Sequence, residues 1–525
     1  MLAEFNVLTE PWITAVALDG TEREYGLLDV LTYAHELQGV RDPSPAVQFG
    51  LYRLLVAFVQ HALQLYEFED LEDAWAAGRF DLSVFEEYAR RVGWHRFDLF
   101  DAERPFLQTP ALPGDTDKPK SVAVLFYHLP TGTNVTHFFH AEQGDHAVSP
   151  AVAARALCSI APFMTQGGAG YSPSINGTPP WYVLALGANL FETILLNCCV
   201  MKVGGLDHKA PPVWASDEPF KPKAEKAARS LAEGYTWQPR QVRLLPTDGG
   251  VCTYSGRPSP ILIKDIVWGP GFKFAGHETW MDPNVAYQLD EKRGTLPVRP
   301  REHRQLWRDY AALFLARDWE AGENRFSRPI IVDQLSKLKE EGSVPEDTAE
   351  QFEVYGMRVD QAKVFEWQYE RMPLRTAILQ NPTADVQVRH ALDLAEKVAR
   401  GMYGALKALH PHEGAGNPQA LAGVVRQAES QYWSRLQYVF ETEYLPALEL
   451  QAPEDDQARK ELLERWKAAL RTVGWQCVSD AIGAIETGAE ALRRQVEARN
   501  RFARVLANVL DDKAARRARK GGEVA

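Results

Sequence analysis

The sequence predicts an α+β protein in which a large mixed α/β domain precedes a C-terminal four-helix bundle. Residues 1–380 combine short alternating apolar segments with Gly and Pro turns, whereas helical periodicity dominates from about residue 385 onward. A length of 525 residues with 45% hydrophobic content allows more than one buried core. We therefore place two domains, at residues 1–380 and 385–525.

The predicted first domain opens with a strand pair that begins at about residues 6–18, and Asp19-Gly20 supplies its turn. Helices are predicted at about 44–66, 82–92 and 186–202, strands near 241–247 and 261–268, and loops over 105–120 and 129–150. Residues 337–348 are charged, and we expect them to be exposed.

The predicted second domain contains four amphipathic stretches, at about 385–411, 419–445, 454–475 and 477–512. In the first stretch, apolar residues recur at intervals of three and four, which is typical of a helix that faces a core. These residues are Val388, Leu392, Ala395, Val398, Met402, Leu406 and Leu409. Short connections, including one at residues 473–476, favour an up-and-down four-helix bundle.

Composition argues against export, membrane insertion and disulfide scaffolds. The longest apolar run, residues 184–203, is interrupted by Asn189, Glu192 and Asn197, so it falls short of the ~20 apolar residues of a membrane span. Residues 1–6 carry no export signal. The five cysteines are few and irregularly spaced, without a CxxC. We expect a cytoplasmic protein with no membrane partner.

Charge is distributed unevenly along the chain. The net charge is -12, yet residues 491–525 carry ten Lys or Arg against four Asp or Glu. This end is either a solvated helix terminus or a strip that faces phosphates. The strip would consist of Arg493, Arg494, Arg501 and Arg504.

A search for catalytic motifs favours a protein that is not an enzyme. The sequence has no phosphate-binding GxxxxGK[ST], no GxGxxG after a strand, no HExxH and no GxSxG. The pairs His410/His412 and His137/His140 each lack a third ligand. We therefore predict no catalytic residues, no cofactor and no metal.

Residues 166–170 (QGGAG) form a loop almost without side chains, just after a predicted helix. Glycine allows a backbone to approach another surface closely and leaves its N–H groups free to donate. The loop is either a flexible connector or a contact to a phosphate or a base edge.

Lys273 stands between two aromatic residues, Phe272 and Phe274. In an extended backbone both Phe side chains point to one face and the lysine points to the other. The segment is either an ordinary half-exposed strand or a stiff support for a cation that contacts nucleic acid.

Residues 355–363 (YGMRVDQAK) combine a Gly turn with a compact polar tip, and aromatic residues follow. A small tip on a rigid base can enter a DNA duplex as a wedge. A plain β-turn has the same sequence pattern.

Four segments resemble the large subunit of type I-E CRISPR Cascade, the CasA family. Residues 5–13 (FNVLTEPWI) are similar to the start of that family, and residues 103–109 (ERPFLQT) are similar to its HPFxQT segment. Residues 235–239 (YTWQP) and 355–371 are also alike. The resemblance therefore extends from residue 5 to the helical C-terminal part.

The resemblance implies a subunit that recognises the protospacer-adjacent motif in the minor groove of duplex DNA. The family does so with a glycine loop, a lysine finger and a glutamine wedge. The matching residues are Gly167, Gly168, Ala169 and Gly170 for the loop, Lys273 for the finger, and Asp360, Gln361 and Ala362 for the wedge. Contacts of this kind in the minor groove imply tolerant reading of the motif.

The resemblance also implies several partners: the guide crRNA, target double-stranded DNA, the other Cascade subunits and the CRISPR nuclease-helicase. Residues 134–140 (NVTHFFH) resemble the family's segment that meets the 5′ handle of the guide. The candidates for this contact are Asn134, His137, Phe138 and Phe139. The two Phe residues either stack on an unpaired base or form a buried aromatic pair.

Two positions depart from the family pattern. Asp360 stands where the family has Asn, and a carboxylate near phosphates is unfavourable unless a cation or a base amino group faces it. Only Cys252 lies where some relatives carry a zinc-binding cysteine cluster. An assembly scaffold without motif reading is the alternative function, and a metal-dependent nuclease is a third.

Overall fold

The computed structural model has a mixed α/β fold with two compact units. One unit comprises Met1–Glu302 with Arg317–Met372, and the other comprises His303–Ala316 with Pro373–Ala525. The structure describes residues 3–115, 117–127, 129, 146–167, 170–207, 209–276, 279–290, 292–302, 304–315, 325–360, 363–374, 378–379, 381–410, 418–451, 455–485 and 488–511. The predicted boundary at 380–385 stays a prediction, because the second unit also includes a segment from before it.

In the described part of the chain the strands form small sheets in the first unit, and only Pro373, which ends the last strand, belongs to the second. In chain order they are β1 (Ile13–Ala17), β2 (Glu22–Tyr25), β3 (Leu37–Val40), β4 (Lys120–Ser121), β5 (Tyr182–Leu186), β6 (Glu225–Lys226), β7 (Arg240–Val251), β8 (Pro258–Pro270), β9 (Lys273–Phe274), β10 (Tyr287–Asp290), β11 (Gly294–Pro297), β12 (Arg325–Ser327), β13 (Gln351–Asp360) and β14 (Lys363–Pro373). The sheet orders are β2-β1-β3, β11-β10-β12, β14-β13-β5 and β4-β8-β7, and β6 pairs with β9 in parallel.

The α-helices are distributed over both units. The first unit contains α1 (Leu27–Thr32), α2 (Pro45–Leu63), α3 (Phe68–Ala76), α4 (Leu82–Val92), α5 (Pro150–Cys158), α6 (Ile160–Phe163), α7 (Leu190–Asn197), α8 (Leu231–Tyr235) and α9 (Ile330–Glu340). The second contains α10 (Pro382–Leu406), α11 (Pro418–Val439), α12 (Leu445–Glu449), α13 (Asp456–Gly483) and α14 (Ala489–Val509).

The predicted N-terminal strand pair is confirmed. Strand β1 pairs antiparallel with β2, from Ile13 opposite Tyr25 onward. In the turn, Asp19 accepts a hydrogen bond from the Thr21 amide at 2.8 Å, and Gly20 has a φ of +86°. That left-handed conformation suits glycine, so the Asp-Gly pair was a reliable signal.

Helix α2 is the central core element of the first unit. Its Arg53 forms two hydrogen bonds with Asp282, at 2.7 and 2.9 Å, and both side chains are almost fully buried. Its Gln48 donates to the Tyr355 hydroxyl at 2.9 Å. Among the described residues, α2 is the one helix long and apolar enough to cross a membrane, and 83% of that stretch is buried inside the structure. The core therefore joins parts of the chain that are far apart in sequence.

The predicted helix at 186–202 is wrong in its extent. The chain first forms strand β5 and then the shorter helix α7. Asn189 begins the helix by accepting from the Glu192 amide at 3.0 Å. At its end, Asn197 bonds to both the amide and the carbonyl of Ala185, at 3.1 and 2.8 Å. The uniform hydrophobicity of this run reflects burial of both elements, which conceals the change from strand to helix.

The predicted exposure of residues 337–348 is only partly right. This stretch contains the end of α9 and the turn after it. Leu338, Lys339 and Val344 are buried. The Lys339 ammonium donates to the Glu346 carbonyl at 2.7 Å, so a charged residue here closes the turn.

The predicted helical character of the second unit is confirmed, but one helix boundary is wrong. All seven residues of the predicted apolar stripe in α10 and the turn after it are buried. Helix α13 continues through residues 473–476, where we expected a loop. A Cβ on Gly474 would lie 2.7 Å from Cζ of Phe502, so this glycine permits close approach of α14 and does not end a helix. Closure of these helices into a four-helix bundle stays a prediction.

Candidate nucleic-acid interface

The predicted glycine loop follows helix α6 and is held at its base by Arg240, the first residue of β7. The Arg240 guanidinium donates to the Thr165 carbonyl at 2.6 Å and to the Ser172 carbonyl. The Ser174 amide also donates to the Met164 carbonyl at 2.7 Å. Both ends of the loop are therefore bound to one buried support.

Arg240 itself is unusually constrained for a cation. Its guanidinium lies 5.0 Å from the centre of the Tyr171 ring and 5.8 Å from the centre of the Trp268 ring. Burial lowers the pKa of Arg240 to about 10, so the guanidinium remains charged at neutral pH. A buried charge costs less when it is hydrogen-bonded, and here backbone carbonyls on both sides of the loop accept from the two terminal nitrogens, while Nε has no partner among the described residues.

The glycines of the loop occupy restricted positions. A Cβ on Gly167 would lie 2.9 Å from Cβ of Tyr171, which is too close for any larger residue without movement. Gly170 has a φ of +86°, a conformation that residues with a side chain rarely adopt. Gly168 and Ala169 lie outside the described residues.

Lys273 lies on strand β9, as the alternation of Phe272 and Phe274 predicted. Both Phe rings contact Trp237, with ring centres 6.0 and 5.5 Å apart. The Lys273 side chain is exposed, and its ammonium pairs with Glu225 on β6 at 2.6 Å. This hydrogen bond lowers the pKa of Glu225, so its carboxylate is charged at neutral pH.

The lysine strand and the glycine loop share the Arg240 region. The Gly271 amide donates to the Pro239 carbonyl at 3.1 Å, and the Phe272 amide donates to the Gln238 carbonyl at 2.9 Å. A Cβ on Gly271 would lie 2.3 Å from the backbone nitrogen of Arg240. The backbone of Arg240 thus abuts the lysine strand while its side chain holds the loop.

In sequence, the predicted wedge falls where strand β13 ends and before strand β14 begins, and a buried carboxylate clamps these two strands of the hairpin together at its base. Glu353 on β13 accepts from the Tyr369 hydroxyl at 2.6 Å and from the Arg371 guanidinium at 3.0 and 3.1 Å, both on β14. It also accepts from the Tyr355 hydroxyl. Burial, with the nearby charge of Glu353 next, raises the pKa of Tyr355 well above its ordinary value.

Further along the hairpin, close packing replaces the polar network. A Cβ on Gly356 would lie 2.3 Å from the Trp181 ring. Arg358 pairs with Glu302 at 3.3 Å and with Glu366 at 3.4 Å. Asp360 ends β13, whereas Gln361 and Ala362 lie outside the described residues, as does the side chain of Asp360.

One aromatic contact ties the hairpin to the root of the glycine loop. Trp367 on β14 meets Phe163, the last residue of α6, with ring centres 5.7 Å apart. The structure therefore brings together the supports of all three predicted segments within the first unit. This proximity was not predictable from spacing, because the segments lie about 100 residues apart in sequence.

The other sequence-predicted residues lie elsewhere or outside the described part. Asn134, His137, Phe138 and Phe139 fall in residues 130–145, which the structure does not describe. Arg493, Arg494, Arg501 and Arg504 all lie on α14.

The four arginines on α14 form two classes. Arg494 pairs with Glu490 at 3.0 Å, and Arg501 pairs with Glu497. Within the described part of the chain, no carboxylate lies within 4 Å of the guanidinium of Arg493 or Arg504.

Two supporting residues escaped the sequence analysis. Arg240 shares the alternation of the buried Val242 and Leu244, and a charged residue in such a pattern indicates buried partners. Glu353 likewise stands between the buried Phe352 and Val354. In both cases the signal is a charged residue that shares a strand with buried apolar neighbours.

Metal ligands do not converge in the described part of the chain. Across those residues, no group of three or more His, Cys, Asp or Glu side chains is arranged to hold a metal ion. Cys252 is buried, and its Sγ accepts from the Ser255 amide at 3.4 Å.

Comparison with known proteins gives a consistent result over nearly the whole chain. Residues 6–477 match the family described as CRISPR-associated protein Cse1. CasA/Cse1 of Thermus thermophilus is 31% identical over 529 residues, which span 96% of this chain and 98% of the relative. A solved CRISPR-associated protein of Thermus thermophilus has a TM-score of 0.76 and 25% identity, covering 97% of this chain and 100% of its own.

A chain of a solved CRISPR RNA-guided surveillance complex has the same fold, with a TM-score of 0.74 and 21% identity over 95% of this chain and 99% of its own. The fold and these matches place the protein among the CRISPR-associated proteins. It belongs to the Cse1 family, also called CasA, and the family resemblance found in the sequence is confirmed.

Proposed function

We propose that this chain is the non-catalytic large subunit of a crRNA-guided surveillance complex and that it recognises the protospacer-adjacent motif in duplex DNA. The observation that carries the proposal is the common support of the glycine loop and the lysine strand at Arg240. Membership of the Cse1 family and the fold shared with a chain of a surveillance complex support the same role.

In the proposed mechanism, the loop and Lys273 enter the minor groove. Small residues at the loop permit close approach of backbone donors, and the groove offers a degenerate pattern of acceptors. The chain therefore tolerates variation in the bases of the motif, and base pairing between the target and the guide supplies the sequence specificity.

We assign strand separation to the wedge residues between β13 and β14. Gln361 enters the duplex beside the motif, and the tip needs a rigid base because it must push bases apart. The Glu353 network and the packing of Gly356 on Trp181 supply that rigidity.

The remaining contacts complete the proposed role. Residues 134–139 meet the guide handle, and the arginines of α14 hold the displaced strand on the basic side of a C-terminal four-helix bundle. The subunit also helps recruit the nuclease-helicase that degrades the target.

The test is binding of the guide-loaded complex, with and without this chain, to duplexes that carry a matching target beside randomised flanking triplets. We expect the chain to confer a preference among triplets. Gln361→Ala, or a bulky residue at Gly168, should abolish it. Gln351→Ala is the matched control, because Gln351 is an exposed glutamine at the start of β13, far in sequence from the wedge.

Equal binding to every triplet by the wild-type complex would contradict motif recognition. The chain would then be an assembly scaffold that binds guide RNA and partner subunits without reading the motif.

A further inference from the structure

A second lysine, Lys223, lies directly beside the glycine loop. A Cβ on Gly170 would lie 3.1 Å from Cε of Lys223 and 3.5 Å from its ammonium nitrogen. The lysine side chain therefore runs across the face of Gly170 that a side chain would otherwise occupy. A ligand that approaches the loop backbone at this point also meets the ammonium group.

The backbone of Lys223 is fixed in an uncommon conformation. Its φ is +63°, in the left-handed region that is unfavourable for a residue with a side chain. The Lys223 amide donates to the Gly271 carbonyl at 2.8 Å, and the carbonyl of the next residue, Ala224, accepts from the Lys273 amide at 2.9 Å. Lys223 is thus anchored to the lysine strand, while its side chain lies beside the loop.

The two lysines of this region differ in their partners. The Lys273 ammonium is paired with Glu225 at 2.6 Å. Lys223 is exposed, and no carboxylate of the described residues lies within 4 Å of its ammonium group. The side chain at the loop is consequently the one whose charge is available to an anion without first breaking an ion pair.

We propose that Lys223 binds a backbone phosphate of the target duplex and so sets the register of the glycine loop in the groove. Phosphate contacts position a protein on DNA and carry no sequence information of their own. The inference rests on the proposed function, because it assigns the phosphate to the duplex that the loop reads. It gives Lys223 a role in affinity and leaves motif preference to the loop, Lys273 and the wedge.

The test is the salt dependence of target binding by the guide-loaded complex. Lys223→Gln should weaken binding about five- to tenfold at about 0.1 M salt and reduce the slope of log Kd against log salt by about 0.9, the value for one phosphate contact. The order of preferred triplets should remain that of the wild type. Lys221→Gln, which removes an exposed lysine two residues away, is the control and should leave the slope unchanged.

Two further variants separate charge from backbone strain. Lys223→Gly suits the left-handed backbone but lacks the charge, so it should bind as weakly as Lys223→Gln. Lys223→Arg keeps the charge and should retain the wild-type slope.

An unchanged slope and affinity in Lys223→Gln, with triplet preference intact in the wild type, would overturn this inference alone. Loss of preference in the wild type itself would instead overturn the proposed function.

Discussion

Buried charged side chains determine the geometry of the candidate interface at the scale of single residues. Arg240 binds the carbonyls of Thr165 and Ser172 on either side of the glycine loop. Glu353 binds Arg371 across the base of the hairpin. Each group has several partners, so its removal leaves more than one buried polar atom without a hydrogen bond.

Arg240→Met should lower the free energy of unfolding by about 2–4 kcal/mol, because the carbonyls that Arg240 binds lose their donor. It should also weaken triplet preference, since the loop loses its support. Denaturant titration of the isolated chain measures the first effect, and the duplex-binding assay measures the second.

Arg243→Met is the control for this substitution, because the Arg243 guanidinium makes a bond of 3.2 Å to the Ala102 carbonyl at an exposed position. We expect a change within about 0.5 kcal/mol and normal triplet preference. Equal effects of the two substitutions would show that Arg240 does not support the loop specifically.

Local periodicity and turn chemistry predicted many of the elements, but contacts between distant segments decided the rest. The first strand pair, the helices near α2 and α4 and the strands β7 and β8 follow local patterns, and the structure contains them. The division between β5 and α7 depends instead on bonds from Asn197 back to Ala185. Similarly, Arg240 meets Thr165 across 75 residues of sequence, so no local signal places the two together.

The candidate site was predictable as a set of segments and not as an arrangement. Glycine, alternating aromatics and a polar turn indicated the loop, the strand and the hairpin. Their common support depends on Arg240 and on the contact of Trp367 with Phe163. Neither contact follows from composition or spacing.

Two glycines within long helices of the second unit should respond oppositely to alanine. Gly474→Ala should destabilise the unit by about 1–3 kcal/mol, because the new Cβ would lie 2.7 Å from the Phe502 ring. Gly404→Ala, in α10, meets nothing within 4 Å and should stabilise it by up to about 1 kcal/mol. Denaturant titration of both variants makes the comparison, and stabilisation by Gly474→Ala would contradict the close packing of α13 and α14.

At the scale of the whole molecule, the chain is acidic, and the lysines and arginines proposed to contact nucleic acid are confined to a few sites. The net charge of -12 disfavours non-specific coating of DNA, so the number of direct phosphate contacts should be small. The arginines of α14 test this view, because they divide into those with an ion-pair partner and those without one.

Replacing Arg493 and Arg504 together with Gln should reduce the salt slope of target binding by about 0.7 for each phosphate of the displaced single strand that is no longer bound. Replacing Arg494 and Arg501 removes the same charge but only side chains already paired with glutamates, so the slope should change less. The two double variants are compared by titrating the target duplex with each guide-loaded complex at several salt concentrations. Identical slopes in both double variants would argue for a solvated helix end.

The position of helix α2 in the sequence also has a consequence for biosynthesis. Its partners Asp282 and Tyr355 lie 229 and 307 residues further along the chain. At ribosomal rates of about 5–20 residues per second, Tyr355 is made roughly 15 to 60 s after Gln48. For that time α2, which is apolar enough for a membrane, lacks two of the residues that bond to its polar side chains in the folded core. We therefore expect the incomplete core of the nascent chain to be more prone to aggregation until strand β13 has been synthesised.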